Sequence, residues 1–425
     1  MDGAKRLDVT VANSAAESRH RWYYFKEGFS STLVDYVIKQ TGVGPGSRIV
    51  DPFCGSGTTV LTATANGIRS AGKEVNPFLR FVSRCKTSTV APMTFRRAVA
   101  GALDGAASRK VHPLELFSTF SERGWKSQRQ QKWLFNSAVL RAFWGSWSRL
   151  KKKDATGDLV RLCLLGAAMD AANAAKDGKC LRYRPDWESL DFGRSDFVDA
   201  AIARSEIIAE DLERSPLSEL AVVELADSRV TDFGECFDLC VTSPPYLNSF
   251  DYTDVYRPEL FLGGFVSTMD ELTKLRLSTL RSHIQVDWPN PEASDFGLNY
   301  AKAISDLRSK SDTLWDHRLP RMIQAYFEDM QSVLTRLRAK ANRNAVVALV
   351  VSTSAYAGSE IPVDLIIADI AVKSGWQLRE VSVLRQLKRV AGQQWHSLSS
   401  REGIEGPHLR ESMVVLDAVN TRHRR

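Results

Sequence analysis

Two short stretches of the 425-residue chain combine residue types that do chemistry. One is Asp51-Pro52-Phe53-Cys54-Gly55-Ser56-Gly57-Thr58-Thr59. Gly55 and Gly57 let the backbone pass close under a ligand, where a Cβ would collide. The helix expected to begin at Thr58 offers unpaired N–H groups at its start. There is no G-x-x-x-x-G-K-[ST] here, and Val60 stands where G-x-G-x-x-G needs its third glycine. Neither a P-loop nor a dinucleotide cradle is therefore present. Glu74 lies 19 residues after Gly55, about the spacing at which a carboxylate accepts hydrogen bonds from ribose hydroxyls. A ribose-bearing ligand with little or no phosphate fits best, and S-adenosylmethionine is such a ligand.

The other stretch is Thr242-Ser243-Pro244-Pro245-Tyr246. Two prolines cannot continue a strand ladder, so the chain leaves the sheet here as a stiff loop. In an open α/β sheet, ligands bind at that carboxyl edge. The Ser243 side chain and the Pro244 carbonyl can accept the two hydrogens of an exocyclic amine. The amine's lone pair is otherwise delocalised into its ring. Two acceptors bias the nitrogen towards sp³ and aim the lone pair at a methyl donor. The Tyr246 ring can stack on the base face, worth about 1–3 kcal/mol. A base inside a duplex cannot reach such a loop and must be flipped out.

The elements that must carry these stretches are legible from periodicity. Residues 1–20 are polar and read as a disordered tail. A helix is expected over 31–40, a strand over 48–50 ending at Asp51, a helix over 58–66 and a strand over 70–75. That is the opening of a doubly wound sheet. Residues 21–88 form a cofactor half, and 89–215 an inserted helical domain, with a buried helix over 159–175 and an amphipathic one over 198–214. A catalytic half over 216–425 resumes the sheet with strands at 221–225, 237–242 and 345–352. Helices follow at 319–340 and 363–374, and a closing strand pair at 378–384 and 412–417. The polar segment 266–316 reads as a cover over the site.

The formal net charge is +7, but its placement says more. Between Ser121 and Arg161 stand ten basic residues against three acidic ones, a local net of +7. Arg123, Lys126, Arg129, Lys132, Lys151, Lys152 and Lys153 are the candidate contacts for a polyanion such as nucleic acid. A second run, Arg385 to Arg401, adds Lys388 and Arg389 with no acid. Trp125, Trp133, Trp144 and Trp147 are interleaved with the first cluster, either as helical core or as platforms for bases. The longest aliphatic run, Ala345 to Val351, is seven residues, far short of the roughly 18 that span a bilayer. No apolar leader follows Met1, and an intracellular chain is expected. None of the six cysteines forms C-x-x-C, and His283, His317, His396 and His408 show no ligand spacing, so no metal is expected. Cys54 reads as a small packing residue. Asp251, Tyr252 and Asp254 either line the base pocket or cap the next helix.

Together the two stretches resemble those of the DNA amino-methyltransferases, the cytosine-N4 and adenine-N6 group, with the cofactor motif first and the catalytic tetrapeptide later. The resemblance implies an α/β fold, a Rossmann-like class I methyltransferase sheet. It implies S-adenosylmethionine as cofactor, held by Asp51, Phe53, Gly55, Ser56, Gly57, Thr58 and Glu74. Asp227 sits where the family places a residue near the adenine. Tyr24-Phe25-Lys26-Glu27-Gly28-Phe29 is similar to the segment closing over the methionine end, which adds Phe25 and Lys26. Ser243, Pro244, Pro245 and Tyr246 would be catalytic. Ser in the first tetrapeptide position is associated with cytosine N4 in this family. Adenine N6, an RNA amine and an inactive nucleic-acid-binding scaffold are the alternative readings. The implied partners are DNA and, for a modification role, a cognate restriction nuclease in the cytoplasm, with no membrane. The insertion of about 125 residues departs from the family's short crossover and is a candidate DNA clamp.

Overall fold

The computed structural model describes residues 16–116, 119–121, 132–177, 180–387 and 409–418. Arg123, Lys126, Arg129, Lys388, Arg389, Trp125, His396 and His408 lie outside them.

Seven strands form one sheet: β1 (Arg48–Asp51), β2 (Arg69–Glu74), β3 (Ala221–Leu225), β4 (Phe237–Thr242), β5 (Ala341–Ser352), β6 (Trp376–Gln386) and β7 (Arg410–Ala418). Their order in space is β3-β2-β1-β4-β5-β7-β6. All neighbouring pairs are parallel except those made by β7, which runs antiparallel to both β5 and β6. The strand order reverses between β1 and β4, the crevice where ligands bind in such sheets. This is the Rossmann-like sheet that the resemblance implied.

Alternation along the strands builds two cores. Leu239, Val241, Val346, Ala348, Val350, Met413 and Val415 pack on the Ser31–Thr41 helix. Cys240, Val347, Leu349, Val351, Val414 and Leu416 face the Leu319–Lys340 and Val363–Lys373 helices. The central strands β1, β4 and β7 and the second half of β5 are largely buried on both faces, as the middle of such a sheet requires, while the edge strands β3 and β6 are mostly exposed.

Residues 89–215 carry the helices Pro92–Leu103, Ser137–Trp147, Ala155–Asp170 and Arg194–Arg214, and a two-stranded hairpin, Ala174–Asp177 with Cys180–Tyr183. The expected buried helix thus ends at Asp170, and its last residues turn into the hairpin. The apolar cluster of this segment is continuous with the Pro77–Lys86 helix and with Phe250 to Leu272 after the catalytic loop.

Arg19, expected to belong to the polar tail, is held in the fold. Arg19 is 2 % exposed. Its guanidinium donates to the carbonyls of Lys86, Ser88 and Ser215, and its backbone N–H to Asp211. These bonds pin the chain entry to the helical layer, because an arginine is buried only where its donors are met.

Gly57 also differs from expectation. It sits at φ 91°, and a Cβ there would come 2.3 Å from Ser83 Oγ and 2.9 Å from Ser83 Cβ. The missing side chain makes room for the Pro77–Lys86 helix, not for a ligand. Gly57→Ala should lower stability by about 2–3 kcal/mol, combining left-handed strain with overpacking. Urea denaturation checks this; a loss under about 0.5 kcal/mol would show that the helix moves aside freely.

Candidate active site

The two chemical stretches meet by direct bonds. Thr242 Oγ1, at the end of β4, donates to Asp51 Oδ1 at 2.6 Å, at the end of β1. Asp51 Oδ1 also accepts from the Phe53 N–H at 3.0 Å. Thr59, in the helix after the glycine turn, donates to the Val241 carbonyl at 2.9 Å. Asp51 is buried, and burial raises its carboxyl to about 6 against the hydrogen bonds that favour the ion. It is therefore a girder beneath the site and does not face the cleft.

A cleft of about 780 Å³, open mouth included, lies over this junction. Phe25, Phe53, Gly55, Glu74 and Asp227 line it from the cofactor side, and Ser243 and Pro245 from the catalytic side. Gly55, at φ 51°, donates its N–H to Glu74 Oε2 at 2.7 Å, while Glu74 Oε1 accepts from the Asn76 N–H at 2.8 Å. The carboxylate is thus fixed at the tip of β2. Burial, with Asp51 nearby, lifts it to about 7. Phe25 lies over Gly55, where a Cβ would come within 3.3 Å of its ring. Phe25 is stacked in turn on Tyr256, with ring centres 5.6 Å apart. Asp227 is gripped by Arg229 through both oxygens.

Other expected residues fall elsewhere. Ser56 is buried and Thr58 half-buried, both outside the cleft lining, and Lys26 is exposed. Pro244 is buried. Tyr246 is half-buried and its hydroxyl donates to Glu411 Oε1 at 2.5 Å. Asp251 caps the Tyr252–Val255 helix by accepting from the Thr253 N–H at 2.9 Å, and pairs with Arg276 at 2.7 Å. Asp254 pairs with Arg257, while Tyr252 lines the cleft. From the expected cover, only Ser278 to His283 reaches the cleft; the Leu298–Ser309 helix packs in the layer behind the sheet. Cys54 is a buried thiol against Ser83, raised well above the ordinary range by burial, and so unreactive.

Sequence reading missed Glu27, Asn76, Thr253 and His283 as lining residues. Glu27 Oε2 accepts from the Tyr256 hydroxyl at 2.8 Å, and burial raises its carboxyl. Only the quoted segment Tyr24 to Phe29 hinted at it.

Of the candidate polyanion contacts, Lys132 is exposed over the Tyr183 ring, and Lys151, Lys152 and Lys153 are exposed. Arg141, Arg149 and Arg161 pair with Glu115, Asp104 and Asp158, so part of this positive charge is answered by acids of the same chain. Trp133, Trp144 and Trp147 are half-buried against Trp187, His112 and Phe143. Among the described residues, no group of three or more His, Cys, Asp or Glu could hold a metal ion. No helix among them is long and apolar enough to cross a membrane.

A family model described as an RMKL-like methyltransferase domain matches residues 19–119, which contain the glycine turn and Glu74. The chain is 26 % identical over 435 residues to the type II methyltransferase M.BsoBI of Geobacillus stearothermophilus, covering 91 % of this chain and 84 % of that protein. It is 24 % identical over 444 residues to the type II methyltransferase M.AvaI of Nostoc sp., covering 92 % and 86 %. This chain is an S-adenosylmethionine-dependent methyltransferase. Among solved structures, an rRNA methyltransferase of Streptomyces viridochromogenes aligns at 11 % identity and TM-score 0.31 over 96 % of this chain and 92 % of that one, too faint a likeness to argue from.

The methyltransferase's cleft fits its cofactor on its own evidence. A fixed carboxylate at the tip of β2 suits ribose hydroxyls, and Glu27, Glu74 and Asp227 around the lining suit a cation. Glu74 binds its proton more readily folded than unfolded. Stability without cofactor should therefore fall as the pH rises from the ordinary carboxylate range to about 7. Cofactor affinity should move the opposite way and tighten from about pH 6 to about pH 8, because the ion is the better acceptor. Calorimetric titration of the wild type and of Glu74→Gln checks this. The variant should bind more weakly with a flatter slope; unchanged affinity would refute the ribose role.

Proposed function

We propose that this methyltransferase modifies the exocyclic amine of a flipped-out base in DNA, cytosine N4 first, as the modification half of a restriction-modification pair in the cytoplasm. The observation that carries the reading is the convergence of Ser243 and Pro245 with Gly55 and Glu74 on one cleft. The similarity to two type II methyltransferases over most of the chain supports DNA as the substrate. When bound, S-adenosylmethionine supplies a methyl group already activated by its sulfonium.

The chain's own residues do the rest. Glu74 takes the ribose hydroxyls, Asp227 and Phe53 face the adenine end, and Phe25 with Glu27 closes the methionine end. Ser243 and the Pro244 carbonyl accept the amine hydrogens and turn the lone pair out of the ring. Tyr246 stacks on the base, its far edge anchored by Glu411. The twin prolines keep these acceptors from swinging, so alignment is set before the base arrives. Lys132, Lys151, Lys152 and Lys153 meet the phosphate backbone, together with Arg123, Lys126, Arg129, Lys388 and Arg389. A neutral serine as acceptor favours cytosine only by family association; hydrogen bonding alone would serve adenine as well.

Mass analysis of nucleosides from DNA treated with the purified protein and its cofactor should reveal N4-methylcytosine. N6-methyladenine instead would overturn the choice of base, and unmodified DNA the whole reading. Ser243→Ala should cut turnover by about 100-fold with cofactor affinity nearly unchanged.

A further inference from the structure

Lys176 is a cation of the insertion buried against the catalytic half. It lies on the hairpin Ala174–Asp177 with Cys180–Tyr183, and its side chain is 22 % exposed. Its Nζ is 2.5 Å from Glu259 Oε1 and also donates to the Tyr23 hydroxyl. The same Nζ lies 3.9 Å from the centre of the Tyr256 ring and 4.9 Å from that of Tyr23. Tyr256 caps the Arg257–Leu262 helix, and Glu259 sits in its first turn. Glu259 is fully buried, and its second oxygen has no hydrogen-bond partner among the described residues. Lys176 is the cation shown paired with that acid. Leu181 and Tyr183 already pack the hairpin against the apolar cluster. Taking an ammonium group out of water is costly, and attaching the hairpin does not require it.

The other contacts of Tyr256 give the charge a second use. Its hydroxyl donates to Glu27 Oε2 at 2.8 Å, and Phe25 stacks on its ring with centres 5.6 Å apart. Phe25 and Glu27 both line the cleft, with Phe25 over Gly55. A cation over an aromatic face is attracted to that ring and holds it in place. Its field also favours a hydroxyl that donates its proton to an acid. We propose that Lys176 is a positioning residue for the methionine end of the cofactor, acting through Tyr256 on Glu27 and Phe25. The insertion then governs how tightly the amino-acid part of S-adenosylmethionine is held, while the adenosine part depends on Glu74. Lys176 itself is outside the cleft lining. This role rests on the reading of Phe25 and Glu27 as the methionine end.

Two thioethers separate the two ends. S-adenosylhomocysteine carries the amino-acid part and 5′-methylthioadenosine lacks it, while adenosine and sulfur are common to both. Calorimetric titration of the full chain with each reads the role. In Lys176→Met the affinity for S-adenosylhomocysteine should fall about tenfold, with that for 5′-methylthioadenosine within about twofold of wild type. Tyr256→Phe keeps the ring, removes the bond to Glu27 and should show the same selective loss. The two substitutions together should lose less than the product of the single losses, because they act on one contact. A residue that merely held the fold together would weaken both ligands alike when replaced. That result, or no change for either ligand, would overturn the role. If Lys176→Met fails to fold because Glu259 is left unpaired, adding Glu259→Gln removes both charges together and is read in the same way. If that also fails, unchanged S-adenosylhomocysteine affinity in Tyr256→Phe overturns the role. Wild-type protein that binds the two thioethers equally would instead defeat the reading of Phe25 and Glu27 as the methionine end.

Discussion

The hydrogen bond from Thr242 to Asp51 joins the carboxyl ends of β1 and β4 across the one place where the strand order reverses. Everything chemical in the molecule is hung from that junction. Asp51 turns the chain into the glycine loop by holding the Phe53 N–H, and Thr242 starts the twin-proline loop on the neighbouring strand. A second bond, from Thr59 to the Val241 carbonyl, fixes the first turn of the following helix to the same strand. Hydrogen bonds to a charged carboxylate contribute roughly 1.5–3 kcal/mol each, and a neutral one such as that from Thr59 about 0.5–1.5 kcal/mol. Their larger effect is geometric, since they let two stiff loops 191 residues apart keep a constant separation.

The helical segment between the halves is not a free appendage. Its buried acid Asp211 takes the Trp22 indole N–H and the Arg21 guanidinium, and Arg204 reaches the Trp22 carbonyl. Its hairpin sends Lys176 between the rings of Tyr23 and Tyr256 and onto Glu259. Tyr256 in turn holds Glu27 in the cleft wall, and Lys86 holds the Tyr23 carbonyl. The segment that closes one side of the cleft is therefore held from the insertion.

Much of the sheet was legible because its central strands are buried on both faces. Runs such as Ala345 to Val351 are stable where both faces are covered. The closing pair, expected at 378–384 and 412–417, is found at Trp376–Gln386 and Arg410–Ala418, and its place in the strand order was not legible. Gly57 was misread because a glycine beside a ligand and a glycine beside a helix look alike in sequence. Only the 2.3 Å approach to Ser83 tells them apart. The charge of the helical segment was overstated for a similar reason. Arg141 answers the fully buried Glu115, and no local spacing announces that pairing.

From its residues alone, the chain declared a glycine turn after one strand, an acid at the tip of the next, and a Ser-Pro-Pro-Tyr corner after a third. Those features are local, since backbone stiffness, turn chemistry and hydrophobic period act over a few residues. Tertiary structure alone decided that the turn and the corner share a cleft, that Glu27 belongs to its wall, and that Tyr246 is tied to Glu411. Those are contacts between residues 165 or more positions apart or across separate layers. They depend on strand order and register, which follow from how the whole chain excludes water and meets its buried hydrogen bonds, and which no window of the sequence contains.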